Sequence, residues 1–149
     1  MGKKINCVTA YGNLSQEEII AKVREIANDP NWWKAQWDAY ISTYWEPTMK
    51  LIQQKGYRTA LTIGALMDTA MNAGIGDDDP SYHWGVEHLI QEAMAQTQNE
   101  SDFLGKFLEL RLQYPTKNSG DMVKRVDVWQ KLWRDQQWDM YINPNNYIQ

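Results

Sequence analysis

The 149-residue chain is poor in the residue types on which several protein classes depend. Its single cysteine, Cys7, excludes an internal disulfide and a cysteine-based zinc site. No apolar run approaches the roughly 18 residues that a membrane-spanning helix requires. The net charge of −4, without a long basic run, argues against duplex DNA as a partner. The chain is therefore predicted to be one globular domain over residues 1–149, without nucleic-acid binding or membrane insertion.

Phenylalanine is also scarce, with two residues, whereas tryptophan and tyrosine contribute eight each. Indole and phenol rings have an apolar body and a polar tip, so they suit half-hydrated surfaces as well as cores. Helix packing is the favoured interpretation for Trp33, Trp37 and Trp133. Stacking against sugar rings is the functional alternative for the tryptophans as a group.

Apolar residues recur at helical spacing along most of the chain, which predicts a mainly α fold. Ser15 and Glu18 match a capping box, and the Asp29-Pro30 pair is expected to end one helix and open the next. Pro47 is expected to kink or split the second helix. Residues 59–73 are apolar nearly all round, which predicts a central buried helix. Further helices are predicted at 82–96, 101–113 and 122–136, and a strand is conceivable only at 5–11.

Three charged residues lie within apolar helical patterns. Asp68 is inside the predicted central helix, Arg111 shares a face with apolar residues, and Arg125 is flanked by valines. Two interpretations stay open from spacing alone: the arginines pair with Asp68, or both reach solvent. If the cluster is buried, Asp68→Ala leaves two arginines unpaired and costs about 3–5 kcal/mol.

No pattern predicts a cofactor or a metal. His83 and His88 are five residues apart and so point to different helix faces. The acidic stretch 77–79 lacks the residue order and the closing glutamate of a calcium loop. Phosphate-binding and dinucleotide-binding glycine motifs and a nucleophile elbow are not found in the sequence.

The first seven residues include two lysines but no apolar core, so they do not match a signal peptide. The compartment stays open. If the protein is exported, we expect another route, such as lysis, incorporation into a phage particle or a larger precursor.

Six segments in order along the chain resemble the chitosanases of glycoside hydrolase family 46, members of the lysozyme superfamily. No segment is specific alone, but together they extend over most of the chain. They are residues 7–13 (CVTAYGN), 29–32 (DPNW) with 35–36 (AQ), 44–49 (YWEPTM), 65–74 (ALMDTAMNAG), 107–111 (FLELR) and 125–127 (RVD).

The resemblance implies a mainly α, chitosanase-like or lysozyme-like helical fold with a glycan cleft between two lobes. It implies hydrolysis of a β-1,4-linked amino-sugar polymer with inversion of configuration. In that reaction one carboxylic acid protonates the leaving oxygen and a second carboxylate activates water on the opposite face.

The resemblance also assigns expected roles to individual residues. Asp68, Arg111 and Arg125 fall on a buried Asp–Arg–Arg network that supports the cleft. Asn13, Tyr11 and Trp45 are expected to bind substrate. Asn13 stands where chitosanases often have an aspartate for an amino sugar. Because asparagine lacks that negative charge, an N-acetylated or peptidoglycan-like glycan is favoured over cationic glucosamine.

The family's catalytic acid and base precede the segment that matches residues 7–13. Here six residues precede Cys7, and none is acidic. The catalytic residues are therefore unknown, and the chain is expected to lack the catalytic N-terminal segment. Three interpretations remain: a second chain supplies that segment, the sequence is part of a longer enzyme, or the domain is an inactive glycan-binding or structural module, for example of a phage tail.

Overall fold

A computed structural model of the protein describes residues 14–76, 85–113 and 119–140. The chain divides into two compact units, residues 1–40 and 41–149. The expectation of a single domain over the whole chain stays a prediction. The possible strand at 5–11, the acidic stretch 77–79 and His83 lie outside the described residues.

All regular secondary structure in the described residues is helical and none is strand, which confirms the predicted mainly α class. Their elements are α1 Gln16–Ile26, α2 Pro30–Tyr40, a π-helical segment Ile41–Trp45, α3 Glu46–Gln53, α4 Ala60–Ala73, α5 Val86–Gln96, α6 Glu100–Gln113 and α7 Ser119–Arg134. No helix in this part of the chain is long and apolar enough to cross a membrane.

Helix α1 begins with the predicted capping box. The Ser15 hydroxyl accepts from the backbone N–H of Glu18, and the Glu18 carboxylate accepts from the backbone N–H of Ser15 at 2.7 Å. At the start of α2, the Asp29 carboxylate accepts from the backbone N–H of Asn31 at 2.8 Å. The helix boundary predicted at Asp29-Pro30 is thus confirmed, because side-chain oxygens satisfy N–H groups that have no partner within the helix.

The apolar faces of α1 and α2 are exposed, and neither helix has a buried residue. The side chains of Trp33 and Trp37 are 62% and 63% exposed, so the prediction that they pack in a core is wrong. Helical periodicity locates an apolar face, but it does not determine what covers that face.

The second predicted helix is split at Pro47, as expected. Helix α2 ends at Tyr40, the π-helical segment follows, and α3 has Pro47 near its start. Proline lacks a backbone N–H, and its ring clashes with the carbonyl four residues earlier. A wider turn before the proline accommodates both effects.

Helix α4 is the centre of the second unit, which confirms the predicted buried helix. Eight of its residues are buried, and the surrounding core comes mainly from α5, α6 and α7. Thr59 caps its start, and Gly74, with φ +81°, ends it. Helix α5 packs on α6, and α6 packs on α7.

Two glycines admit tryptophans of α7 into this core. A Cβ atom added to Gly64 of α4 would lie 2.9 Å from Cη2 of Trp129, and one added to Gly105 of α6 would lie 2.6 Å from Cζ2 of Trp133. The absent side chains therefore let α7 dock closely on α4 and α6. The prediction that Trp133 packs within the fold is confirmed.

Some helix boundaries differ from those predicted. Helix α5 begins at Val86 with Gly85 outside the helix, rather than near residue 82. Helix α7 ends at Arg134, two residues earlier than expected, because Gln136 adopts a left-handed conformation with φ 55°.

Candidate functional site

Asp68 of α4 and Arg125 of α7 form an ion pair, with Nη1 of Arg125 donating to Oδ1 of Asp68. The structure thus brings together two residues that are 57 positions apart in the sequence. Their side chains are 23% and 52% exposed, so the pair lies at the edge of the core and not within it.

Two neighbouring side chains complete the coordination of the Asp68 carboxylate. Nε1 of Trp129 donates to Oδ2 at 3.2 Å, and Nδ2 of Asn72 donates to Oδ1 at 3.3 Å and to the Asp68 backbone carbonyl at 2.6 Å. We call Asp68, Asn72, Arg125 and Trp129 the Asp68 cluster.

The Asp68 cluster is suited to joining two helices and not to proton transfer. Three side-chain donors bond the two carboxylate oxygens and take up most of the roughly four lone-pair positions that a general base would use to accept a proton. The cluster instead holds α4 against α7 through hydrogen bonds to a charged group, which are the stronger kind.

Arg111 is 3% exposed on α6 and has an interaction within the structure. That Asp68 is its partner stays a prediction. The expectation that both arginines are buried is wrong for Arg125, whose guanidinium lies partly in solvent. Val126, the next residue on α7, is buried, and successive helix positions are rotated by about 100°, so Arg125 lies beside the buried face and not on it.

Of the expected substrate-binding residues, the structure describes only Trp45. It lies half-buried at the junction of the π-helical segment and α3. Tyr11 and Asn13 lie outside the described residues. Substrate binding by these three residues stays a prediction.

Glu100, at the start of α6, organises the other end of α4. Its Oε1 accepts from the backbone N–H groups of Arg58 and Thr59, at 3.0 and 2.9 Å, and from the Thr59 hydroxyl at 2.8 Å. A carboxylate at a helix N-terminus is stabilised by the N–H groups that point toward it. Helix α4 is therefore fixed by one carboxylate near its start and by Asp68 further along.

Sequence reasoning did not identify Asn72, Trp129 or Glu100. Asn72 and Trp129 each lie four residues after a residue that was identified, Asp68 and Arg125, and so share a helix face with it. A spacing of four residues from Asp68 and from Arg125 is therefore the sequence signal that predicts both Asn72 and Trp129. The hydrogen bond that the Thr59 hydroxyl donates to Glu100 joins residues 41 positions apart, and no local pattern predicts it.

Among the described residues, no group of three or more histidine, cysteine, aspartate or glutamate side chains could hold a metal. Nε2 of His88 lies 3.5 Å from Oε2 of Glu92, one turn further along α5, which is a common arrangement on a helix surface.

Comparison with known proteins decides the family. The sequence model of glycosyl hydrolase family 46 matches residues 4–144. The chain belongs to this family. The resemblance carried by the six sequence segments is thereby confirmed.

Two relatives of this family-46 chain are chitosanases. One, from Niallia circulans, is 33% identical over 96 residues, which make up 62% of this chain and 29% of the relative. The other, from Bacillus subtilis (strain 168), is 26% identical over 139 residues, or 83% of this chain and 50% of the relative. The match therefore spans half or less of each relative's length.

A solved structure supports the fold. A family-46 chitosanase of Gynuella sunshinyii, in complex with chitotetraose, matches with a TM-score of 0.70 over 93% of this chain and 67% of that chain, at 20% identity. The predicted chitosanase-like helical fold is confirmed.

Proposed function

We propose that the chain is a component of a chitosanase-like glycoside hydrolase that cleaves a β-1,4-linked amino-sugar polymer by acid/base hydrolysis. The family match over residues 4–144 carries this proposal. The chitosanase relatives and the neighbour with bound chitotetraose support a polysaccharide as substrate.

The proposed catalytic acid and base lie on polypeptide outside these 149 residues, in a second chain or in another part of a longer protein. Two observations support this. The relatives contain more sequence than the chain matches. The carboxylate of the candidate site, Asp68, accepts from Arg125, Trp129 and Asn72, which take up most of its lone-pair positions.

In this proposal the described residues supply the scaffold of the cleft. Inverting hydrolysis needs an acid and a base about 6.5–9.5 Å apart, so that a water fits between the base and the sugar. Such a spacing depends on fixed helices, and the Asp68 cluster and Glu100 fix α4 at two points. If these helices are held loosely, the rate of catalysis falls even when the supporting contacts lie away from the reacting atoms.

The proposed substrates are chitosan and peptidoglycan. The names of the relatives favour chitosan. Asn13, a neutral amide at a position expected to bind an amino sugar, favours an N-acetylated glycan such as peptidoglycan. The two polymers are distinguished by direct assay.

The test is to co-express the chain with the polypeptide encoded immediately upstream of it and to measure new reducing ends on chitosan and on peptidoglycan. We expect cleavage of at least one polymer by the mixture. A matched preparation with Asp68→Asn is expected to be slower without a change in the polymer preferred. No cleavage of either polymer with any upstream segment would refute the proposal.

The exposed aromatic face of α2 favours a second candidate, a catalytically inactive glycan-binding or structural module of a larger assembly such as a phage tail. Trp33 and Trp37 are one helical turn apart and exposed, and the ring centroids of Trp37 and Tyr40 are stacked 5.5 Å apart. Titration of tryptophan fluorescence with chitin, chitosan and peptidoglycan fragments tests its glycan-binding form. A flat response to all three would eliminate that form.

A further inference from the structure

The apolar residues of α1 form one stripe that lies in solvent. Ile19, Ile20, Val23 and Ile26 fall within about 120° of the helix circumference, because successive residues are rotated by about 100°. These side chains are 37–48% exposed, and no residue of α1 is buried. We call the four residues the α1 stripe. Because an apolar stripe on a helix is ordinarily covered by another element, it is a candidate docking surface.

The α1 stripe is aliphatic throughout, which selects the kind of partner. Its side chains have no ring to stack on a sugar and no polar group to bond a hydroxyl. It differs in this from the aromatic face of α2, where Trp33 and Trp37 lie. Apolar side chains at i, i+4 and i+7 are the anchors by which one amphipathic helix packs on another. The α1 stripe therefore fits a protein segment with an apolar face better than a glycan.

The charges of α1 argue against a lipid surface as the partner. The helix carries Glu17, Glu18 and Glu25 against Lys22 and Arg24. Helices that lie on membranes have a polar face rich in lysine and arginine, which is attracted to anionic lipids. A helix with an excess of carboxylates lacks this attraction.

The length of α1 argues against a second copy of the chain as the partner. Its 11 residues rise about 16 Å, and they supply three positions of a coiled-coil seam, Ile19, Val23 and Ile26. A self-associating coiled coil is indicated by about three to four heptads, and α1 has fewer than two. Two paired copies of α1 would therefore bury less than the roughly 1,200–2,000 Å² of a stable interface.

The lengths of the relatives point to the remaining kind of partner. This chain covers 67% of the Gynuella sunshinyii chitosanase, whose fold it shares, and the matches cover 29% and 50% of the other two relatives. Each relative thus contains polypeptide that the 149 residues do not match. A segment that packs on this fold needs an apolar face to bury, and the α1 stripe is one that lies in solvent.

We propose that the α1 stripe is the docking surface for the polypeptide that carries the catalytic acid and base, and that an amphipathic helix of that polypeptide covers it. The identity of this partner rests on the proposed function. The choice of surface rests on the exposure and the aliphatic composition of α1.

The experiment is to purify the 149-residue chain and the polypeptide encoded immediately upstream of it, and to measure their dissociation constant by calorimetry. The parent chain is expected to bind. Val23→Glu places a charge at the centre of the α1 stripe and is expected to weaken binding at least about tenfold, since the charge would be buried against an apolar face. Val23→Leu keeps this position apolar and is expected to retain binding.

Ala21→Glu is the matched control. Ala21 is exposed on the other side of α1, about 160° from Val23, so this variant adds the same charge outside the stripe. It is expected to bind like the parent. Both glutamate variants are expected to melt close to the parent temperature, because neither removes a buried side chain and glutamate is a good helix former. Weak binding by Val23→Glu is then not a folding defect.

Hydrogen exchange of the backbone amides locates the contact. Adding the upstream polypeptide is expected to slow exchange in residues 16–26 of the parent and of Ala21→Glu, and to leave it unchanged in Val23→Glu. Light scattering of the chain alone, and exchange with chitosan oligomers or phosphatidylglycerol vesicles, test the other occupants. A dimer that Val23→Glu dissociates, or protection of α1 by either additive, would overturn the inference.

No binding by the parent, or equal binding by the parent and Val23→Glu, would also overturn it. The proposed hydrolase would still stand if the co-expressed mixture cleaves polymer. Conversely, binding that depends on the α1 stripe, without cleavage of either polymer, would retain the docking surface and refute the hydrolase.

Discussion

At the residue scale, the Asp68 carboxylate joins α4 to α7. It accepts from Arg125 and Trp129 across the helix interface and from Asn72 on its own helix. The exposure of an ion pair to solvent determines how much it contributes to the free energy of unfolding. The 3–5 kcal/mol expected for a buried pair does not apply here, because half of the Arg125 side chain is in water and its charge is screened.

Asp68→Asn is expected to lower the free energy of unfolding by about 1–2 kcal/mol, since it weakens charged hydrogen bonds at a partly buried site. Urea unfolding measures the change. The matched control is Asp38→Asn, which removes an exposed pair with Lys34 on α2 and is expected to cost at most about 0.5 kcal/mol. Equal losses in the two variants would contradict a supporting role for Asp68.

Tyr57 has a buried hydroxyl without a hydrogen-bond partner among the described residues. Burial, followed by the charges of Glu100 and Asp102, raises the pKa of this phenol above its usual 10.0. Ionisation of Tyr57 therefore leaves the free energy of unfolding unaffected below pH 10.0. This free energy falls as the pH rises through the raised pKa, because the unfolded chain releases the phenol proton more readily than the folded protein.

Tyr57→Phe is expected to leave the free energy of unfolding unchanged at neutral pH, or to raise it by up to about 1 kcal/mol, because an unpaired polar atom is removed. The variant should also lose less stability than the parent above pH 10.0. Urea unfolding at both pH values tests this. A clear loss at neutral pH would show that the hydroxyl has a partner.

At the element scale, α7 docks through two tryptophans that fit against glycines, Trp129 on Gly64 and Trp133 on Gly105. An indole ring is rigid, so it cannot yield to an added methyl group as a flexible side chain does. The glycines therefore set how closely α7 approaches α4 and α6.

Gly105→Ala is expected to cost about 1–3 kcal/mol, typical of overpacking, despite alanine's better helix propensity. Gly120→Ala is the control, since Gly120 is also helical and has no atom within 4 Å of an added Cβ. That change is expected to stabilise by up to about 1 kcal/mol. Thermal melts compare them, and a neutral Gly105→Ala would contradict the close docking.

The capping box of α1 makes its first turn sensitive to acid. Bonds from the backbone and hydroxyl of Ser15, together with the nearby charge of Lys22, lower the pKa of Glu18 below 4.5. Its stabilising effect is present above pH 4.5 and is lost as the pH falls through the lowered pKa.

Cα chemical shifts of residues 16–19, followed by NMR during acidification, are therefore expected to move toward coil values. In Glu18→Gln this pH dependence should largely disappear, whereas Glu17→Gln should retain it. An identical titration of the first turn in both variants would argue against the capping box in solution.

Local signals predicted the helices well, because caps and prolines act within a few residues. Ser15, Asp29, Pro47 and Gly74 mark boundaries that the structure confirms. What covers a face depends on tertiary packing. Spacing therefore predicts neither the exposure of Trp33 and Trp37 nor the hydrogen bond that Thr59 donates to Glu100.

At the scale of the whole molecule, the family, the fold and the Asp68–Arg125 pair could be predicted from the order of short segments and from charges within apolar helices. A cavity of about 480 Å³ between α6 and α7, lined in part by Arg134 and Gln136, could not be predicted, because it depends on the left-handed residue that turns the chain after α7.

The most direct test of the hydrolase proposal is the anomeric configuration of the first product. The co-expressed mixture would be given the polymer that it cleaves, and proton NMR would record the new reducing ends before they equilibrate. An inverting family-46 enzyme that cuts β-1,4 linkages must release the α anomer first. Initial release of the β anomer would contradict the proposed mechanism, and the absence of new reducing ends would contradict the proposed function itself.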